Sequence, residues 1–137
     1  MPLPGLIVTV PRMPTLTEDR EAIRDLFARY ALYIDSGRAE EFANLFTEDG
    51  RFDTKMGDPV VGRDALRAFA GSVPVGMMHH LFTDHVIDID GDSAHCEMSS
   101  IVTSKGQISL VAHTHDDLRR VNGEWKIADR TYTPDPQ

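Results

Sequence analysis

The sequence predicts an α+β domain, with helices in the first half of the chain and an antiparallel sheet in the second. Apolar residues in the first half recur at spacings of three and four, which is typical of one buried helix face: Ile23, Leu26, Phe27, Tyr30 and Ile34. From Met77 onward the apolar residues alternate with polar ones, which indicates strands. Asp90-Gly91 and Asn122-Gly123 favour tight hairpin turns between those strands. Helices followed by hairpin-linked strands are typical of the α+β class.

We expect residues 1–15 to form an extended N-terminal arm and residues 16–137 to form a single domain. Thr15 and Glu18 have the spacing of a capping box, so the first helix should begin there. That helix should end at Asp-Ser-Gly, where Gly37 can take the left-handed conformation.

A short second helix is predicted over residues 38–46, with Phe46 on its buried side. A strand follows over residues 51–54, and "VGRDALRAFAGS" predicts a third helix with Leu66 and Phe69 facing inward. The segments "HVIDIDGDSAHCEM" and "RRVNGEWKIADR" predict hairpins. Between them, residues 98–104 and 107–118 predict strands. The second half should therefore contain about four strands.

The composition argues against several classes of function. The net charge is −8, and binders of nucleic acid or anionic membranes need clustered Lys and Arg instead. Cys96 is the only cysteine, so no internal disulfide can form, and we expect a cytoplasmic location. No apolar run approaches the length that spans a membrane.

Five segments in order give the chain a family resemblance over nearly all of residues 17–133: "AIRDLFARYALYIDSG", "FANLFTEDGRFD", "VGRDALRAF", "HHLFTDHVIDIDGDSA" and "LRRVNGEWKIADR". Together they resemble the SnoaL-like branch of the nuclear transport factor two superfamily. That branch includes polyketide cyclases, scytalone dehydratase-like enzymes and hexachlorocyclohexane dehydrochlorinase.

The resemblance implies a cone-shaped fold, with about three N-terminal helices on the concave face of a strongly curved, mainly antiparallel sheet. It also implies an apolar pocket, a homodimer or higher homo-oligomer, and no obligatory cofactor. Because the fold hosts enzymes, binding proteins and non-catalytic subunits alike, function must be argued from the site.

Asp35 is the most informative polar residue. It falls at the predicted C-terminus of the first helix, where a carboxylate opposes the helix dipole. The resemblance implies that Asp35 orients His80 on the first long strand, where the imidazole would act as a general base. The alternative is that Asp35 only caps the following turn. His79 should face away from the pocket, because adjacent strand residues point to opposite faces.

Tyr30 and Arg130 are the two further catalytic candidates. A phenol at Tyr30 can donate to a substrate oxygen, although this residue also fits the core stripe of the first helix. The dehydrochlorinase has a lysine at the matching position, which speaks against halide elimination. Arg130 matches an arginine that lines the dehydrochlorinase pocket, where a cation stabilises a developing anion. The alternative is an edge-strand arginine paired with Asp116 or Asp129.

The predicted substrate-binding residues are Phe46, Met56, Met78, Phe82 and Thr114. Met78 and Phe82 share the strand face of His80, and Thr114 aligns with a pocket residue of the relatives. His113 and His115 share one strand face, but no third ligand is evident in sequence. We therefore expect no functional metal there, and expect the pair to face a dimer interface or solvent.

These residues predict a cofactor-independent lyase or isomerase, dehydratase-like, acting on a small hydrophobic ring-containing metabolite. The alternative is a non-catalytic ligand-binding or assembly subunit, such as the small subunit of a ring-hydroxylating dioxygenase.

Overall fold

The computed structural model describes residue 5 and residues 12–136, and most of the expected N-terminal arm lies outside them. Within the described residues no helix is both long and apolar enough to cross a membrane. In chain order the elements are α1 (Leu16–Asp35), α2 (Ala39–Ala43), β1 (Phe46–Asp53), β2 (Val60–Val61), α3 (Arg63–Gly71), β3 (Met78–Asp90), β4 (Ser93–Ser104), β5 (Gln107–Val121) and β6 (Glu124–Pro134).

The six strands form one sheet in the order β2-β1-β6-β5-β4-β3. All neighbouring strands are antiparallel except β1 and β6, which are parallel. The register shifts between Thr83 and Val86 and again between Asp117 and Leu118. Such bulges bend and twist a sheet. The helices cover its concave face, so the predicted α+β cone is confirmed.

The hairpin turns follow the local turn chemistry. Asn122-Gly123 has φ values of 51° and 80°, and Lys105-Gly106 has 53° and 77°. Positive φ at both central residues is the type I′ geometry that suits a two-residue hairpin. The first hairpin turns at Gly91-Asp92, one residue later than predicted.

The region around Phe46 differs from the prediction. The second helix ends at Ala43 rather than continuing through residue 46, and Phe46 instead begins β1. Phe46 pairs with Ile127 of β6, and its carbonyl accepts hydrogen bonds from the Arg63 guanidinium. These long-range contacts override the local helical pattern. The two-residue strand β2 was not predicted.

A buried polar network holds the N-terminal end of α1. The Thr15 hydroxyl caps the helix by accepting from the Glu18 backbone N–H at 3.1 Å. Asp19 accepts from two nitrogens of Arg120, at 2.8 and 3.0 Å, and from the indole N–H of Trp125 at 3.1 Å. Because this network ties α1 to the β5–β6 hairpin, it helps to fix the direction in which the helix crosses the sheet.

Candidate active site

The centre of the candidate site is a contact between the last residue of α1 and the third residue of β3. Asp35 accepts from the backbone N–H of His80 at 2.9 Å and lies 2.6 Å from its ring Nδ1. Each side chain is 15% exposed. Because an ionised carboxylate can only accept, Nδ1 carries the proton, and Nε2 is the nitrogen that can take another.

The edge of the sheet explains why a carboxylate is useful at this helix end. α1 ends at Asp35, and Gly37 turns the chain with a φ of 74°. β3 is an edge strand, so its outward backbone N–H groups have no neighbouring strand. Asp35 satisfies one of them at His80, which offsets its unfavourable place in the helix dipole. His79 is exposed on the opposite face, as strand alternation predicts.

A cavity of about 170 Å³ lies beside the Asp35–His80 dyad and is lined by α1, α3 and the concave face of the sheet. Its wall is mostly apolar. The predicted residues Met56, Met78 and Phe82 line it, and Met56 is 62% exposed. The polar residues in the wall are Tyr30, Thr54, His80, Ser109, Arg130 and Tyr132.

Arg130 contributes a buried cation to this wall. Its Nη1 lies 2.9 Å from both carboxylate oxygens of Asp116, and neither side chain is exposed. The guanidinium carbon lies 4.5 Å from the ring centroid of Tyr30 and 5.0 Å from that of Phe82. Nε and Nη2 have no hydrogen-bond partner among the described residues. Burial raises the pKa of Asp116 to about 6, against the opposing charge of Arg130.

Both alternatives for Arg130 hold in part. It pairs with Asp116, and it also lines the cavity. The expectation of an edge strand was wrong, because β6 lies between β1 and β5.

Two tyrosines supply neutral hydroxyls. Burial raises the pKa of Tyr30 to about 12 and also raises the pKa of Tyr132. Both phenols are therefore protonated at neutral pH and can donate a hydrogen bond. The hydroxyl of Tyr132 has no partner among the described residues.

Two predicted pocket residues do not line the cavity. Phe46 is fully buried behind Tyr30, with ring centroids 6.4 Å apart, because it belongs to β1 and packs into the core. Thr114 lies on the inward face of β5 but deeper in the sheet, where its hydroxyl donates to the carbonyl of Met98 at 3.4 Å. Neither residue is therefore a cavity wall.

A family model described as a SnoaL-like domain matches residues 15–131. The chain belongs to the SnoaL-like family. No curated protein sequence matches it.

Solved structures share this fold. A Mycobacterium tuberculosis protein of unknown function, Rv3472, is 34% identical, with a TM-score of 0.81 over 87% of this chain and 77% of that one. A nuclear transport factor two-like protein from Novosphingobium aromaticivorans is 29% identical, with a TM-score of 0.78 over 85% and 82%. A second protein from that organism, provisionally assigned as a scytalone dehydratase, is 21% identical, with a TM-score of 0.76 over 86% and 85%.

Sequence reasoning missed several cavity residues of this SnoaL-like domain. Tyr132 follows Arg130 by two residues and so lies on the same strand face, which was an available signal. Phe69 was expected only to face inward, and Phe52 only to lie in the strand over residues 51–54, yet both line the cavity. Their position depends on how α3 packs against β1, which periodicity does not encode.

A second cluster of polar side chains lies on the outer face of the sheet. We call it the outer histidine cluster, and it consists of His95, Glu97, His113, His115 and Asp117. His113 and His115 are exposed, with ring centroids 4.8 Å apart. The neighbouring strand β4 places Glu97 opposite His115, with a carboxylate oxygen 2.9 Å from its Nδ1. Glu97 therefore lies beside this histidine pair, but the three residues whose candidate ligand atoms come within 4.8 Å of one another are His95, Glu97 and His115, without His113.

Proposed function

We propose that this SnoaL-like domain is a cofactor-independent, dehydratase-like lyase or isomerase that acts on a small hydrophobic ring-containing metabolite. One observation carries the proposal: Asp35 holds both the backbone and the ring of His80 at the wall of an apolar cavity. A protein that only binds apolar ligands has no need of a histidine with a fixed tautomer. One protein of the same fold is provisionally assigned as a scytalone dehydratase, which is consistent with this choice.

His80 acts as the general base. Its Nε2 takes a proton from a carbon next to a substrate carbonyl, and the electron pair of that C–H bond forms an enolate. In a dehydration the enolate then expels a hydroxyl group from the neighbouring carbon, and the imidazolium returns its proton so that water leaves. In an isomerisation the same proton returns to a different carbon. Asp35 stabilises the imidazolium in either reaction.

Arg130 and Tyr30 act on the oxygen that becomes negative. Nε and Nη2 of Arg130, which have no partner in the part of the chain that the structure describes, give the cavity wall positive potential in a region of low dielectric, where charge acts strongly. Tyr30 stays protonated because burial raises its pKa to about 12, so it donates to the enolate oxygen without competing for the proton.

The cavity limits the substrate. Its volume of about 170 Å³ is close to that of an engineered cavity of about 150 Å³ that accepts benzene. A single six-membered ring therefore fills it, and larger substituents must extend past the exposed rim residue Met56.

The proposal is tested by proton exchange, which does not require the natural substrate. Cyclic ketones with one six-membered ring are incubated with the protein in D₂O, and deuterium uptake next to the carbonyl is followed by NMR. General-base catalysis contributes about 10²–10⁴-fold, so His80→Ala should lose exchange by that order. The matched control is His79→Ala, which removes an exposed histidine from the other face of the same strand and should leave exchange intact.

Asp35→Asn should lower the exchange rate more than it weakens ketone binding. Because Asp35 and His80 act as a unit, the double variant should be little worse than either single variant. If the ketones bind but exchange no faster than with His80→Ala, the ligand-binding interpretation replaces this one.

A further inference from the structure

We propose that the outer histidine cluster binds one divalent transition-metal ion, such as Zn²⁺, through His95, Glu97 and His115. The candidate ligand atoms of these three residues lie within 4.8 Å of one another. Two imidazoles and one carboxylate form a donor set that suits zinc, and also cobalt, nickel and copper.

The register of β4 and β5 creates this arrangement. Glu97 stands directly opposite His115, and His95 stands opposite Asp117, so all four side chains leave the same face of the sheet. Tetrahedral zinc with bonds of about 2.0–2.2 Å separates its ligand atoms by about 3.3 Å. The 2.9 Å between the Glu97 oxygen and the His115 Nδ1 is already close to that separation. The remaining adjustment falls on side chains that are 40–45% exposed and free to turn.

Asp117 gives the cluster a second feature of metal sites. It lies 3.0 Å from the Nδ1 of His95, so this ring nitrogen donates to the carboxylate. Nε2 of His95 is then the unprotonated nitrogen that can bind an ion. A carboxylate that orients a ligating histidine from behind is the usual outer-shell partner in zinc proteins, and it raises the basicity of the imidazole.

The site is separate from the dyad. His80 and the cavity lie on the concave face, whereas the cluster lies on the opposite face of the same sheet. An ion bound here would link β4 to β5 and would take no part in the reaction proposed for His80.

The test titrates Co²⁺ into chelator-treated protein from which any polyhistidine tag has been removed, with the visible absorption of bound cobalt as the signal. Zn²⁺ affinity is then measured by competition. We expect one ion per chain. His115→Ala and Glu97→Gln should each weaken binding more than tenfold, and Asp117→Asn should weaken it about 10–100-fold, as loss of an outer-shell partner does.

His79→Ala is the matched control, because it removes an exposed histidine from the same outer face but from β3. It should leave the affinity unchanged, and circular dichroism should show all four variants folded. Zn²⁺ should also raise the Tm of the wild type but not that of His115→Ala. Failure of the wild type to bind cobalt, or equal binding by the wild type and His115→Ala, would overturn the proposal.

Discussion

Replacing Arg130 with Met should destabilise the fold strongly, because it leaves the Asp116 carboxylate buried without its cation. Two unit charges about 4 Å apart attract by about 4 kcal/mol at an effective dielectric constant of about 20. Breaking a buried pair by removing one partner costs about 3–5 kcal/mol. A chain of 137 residues is stable by about 7–20 kcal/mol at typical values per residue, so the loss is a large share.

The loss in free energy of unfolding caused by Arg130→Met should depend on pH in a specific direction. Burial already raises the pKa of Asp116 to about 6 from its usual 3.8, and loss of the cation raises it further. The folded variant then binds a proton more tightly than the unfolded chain does. Its free energy of unfolding should therefore rise as pH falls through the folded pKa, and level off near 3.8. The deficit relative to the wild type should be smaller at pH 5 than at pH 8.

Urea unfolding followed by far-ultraviolet circular dichroism measures both the loss in free energy of unfolding and its dependence on pH. The control is Arg51→Met, whose half-buried guanidinium lies 3.3 Å from Asp53 and 3.6 Å from Asp129 and whose loss should cost less than about 1 kcal/mol. The double variant Arg130→Met with Asp116→Leu replaces the pair by apolar groups and should recover most of the loss. The reasoning is refuted if Arg130→Met is as stable as Arg51→Met, or if the double variant is no more stable than Arg130→Met alone.

Two further predictions concern the contact of α1 with the β5–β6 hairpin and the outer face of the sheet. Asp19→Asn should lower the free energy of unfolding by about 1.5–3 kcal/mol, because it removes charged hydrogen bonds to Arg120. The Arg120 hydrogen bonds lower the pKa of Asp19, so the stability that Asp19 contributes is present above pH 3.8 and is lost as pH falls through the folded pKa. Urea unfolding from pH 7 to pH 3 should therefore show the free energies of unfolding of the wild type and Asp19→Asn converging. We also propose that the domain is a homodimer through the part of its outer sheet face where an apolar row crosses three strands at Leu81, Ile101 and Val111, four residues along β4 from Glu97 of the outer histidine cluster. Light scattering at micromolar concentration should report a dimer for the wild type and a monomer for Leu81→Lys, whereas a monomeric wild type would contradict this.

Local patterns were enough for the elements whose conformation is set by near neighbours. Asn122-Gly123 needs positive φ at both residues whatever surrounds it, so its turn was predictable. Phe46 was not, because a pairing with Ile127 decides between helix and strand there, and that partner is distant in sequence.

Strand alternation predicts which face a residue occupies but not how deep it lies. Thr114 is on the inward face, as expected, yet it sits below the cavity beside Met98. Similarly, His113 and His115 share a face, as predicted, but the register that brings Glu97 beside them depends on the pairing of β4 with β5. Pocket depth and strand register belong to the assembled sheet, so the cavity wall and the outer histidine cluster were only partly predictable.

The placement of Asp35 could be flagged from the sequence, because a carboxylate at a helix C-terminus is locally unfavourable. Its partner came from the family resemblance, since 45 residues separate it from His80. The carboxylate accepts two hydrogen bonds at once, from the edge-strand backbone and from Nδ1. An Asn side chain has only one acceptor oxygen, and its amide nitrogen donates. In Asp35→Asn, therefore, either the backbone N–H of His80 loses its partner or the imidazole moves its proton to Nε2. The ¹⁵N shifts of the His80 ring distinguish these outcomes, and a proton on Nε2 would remove the base without removing the shape of the site.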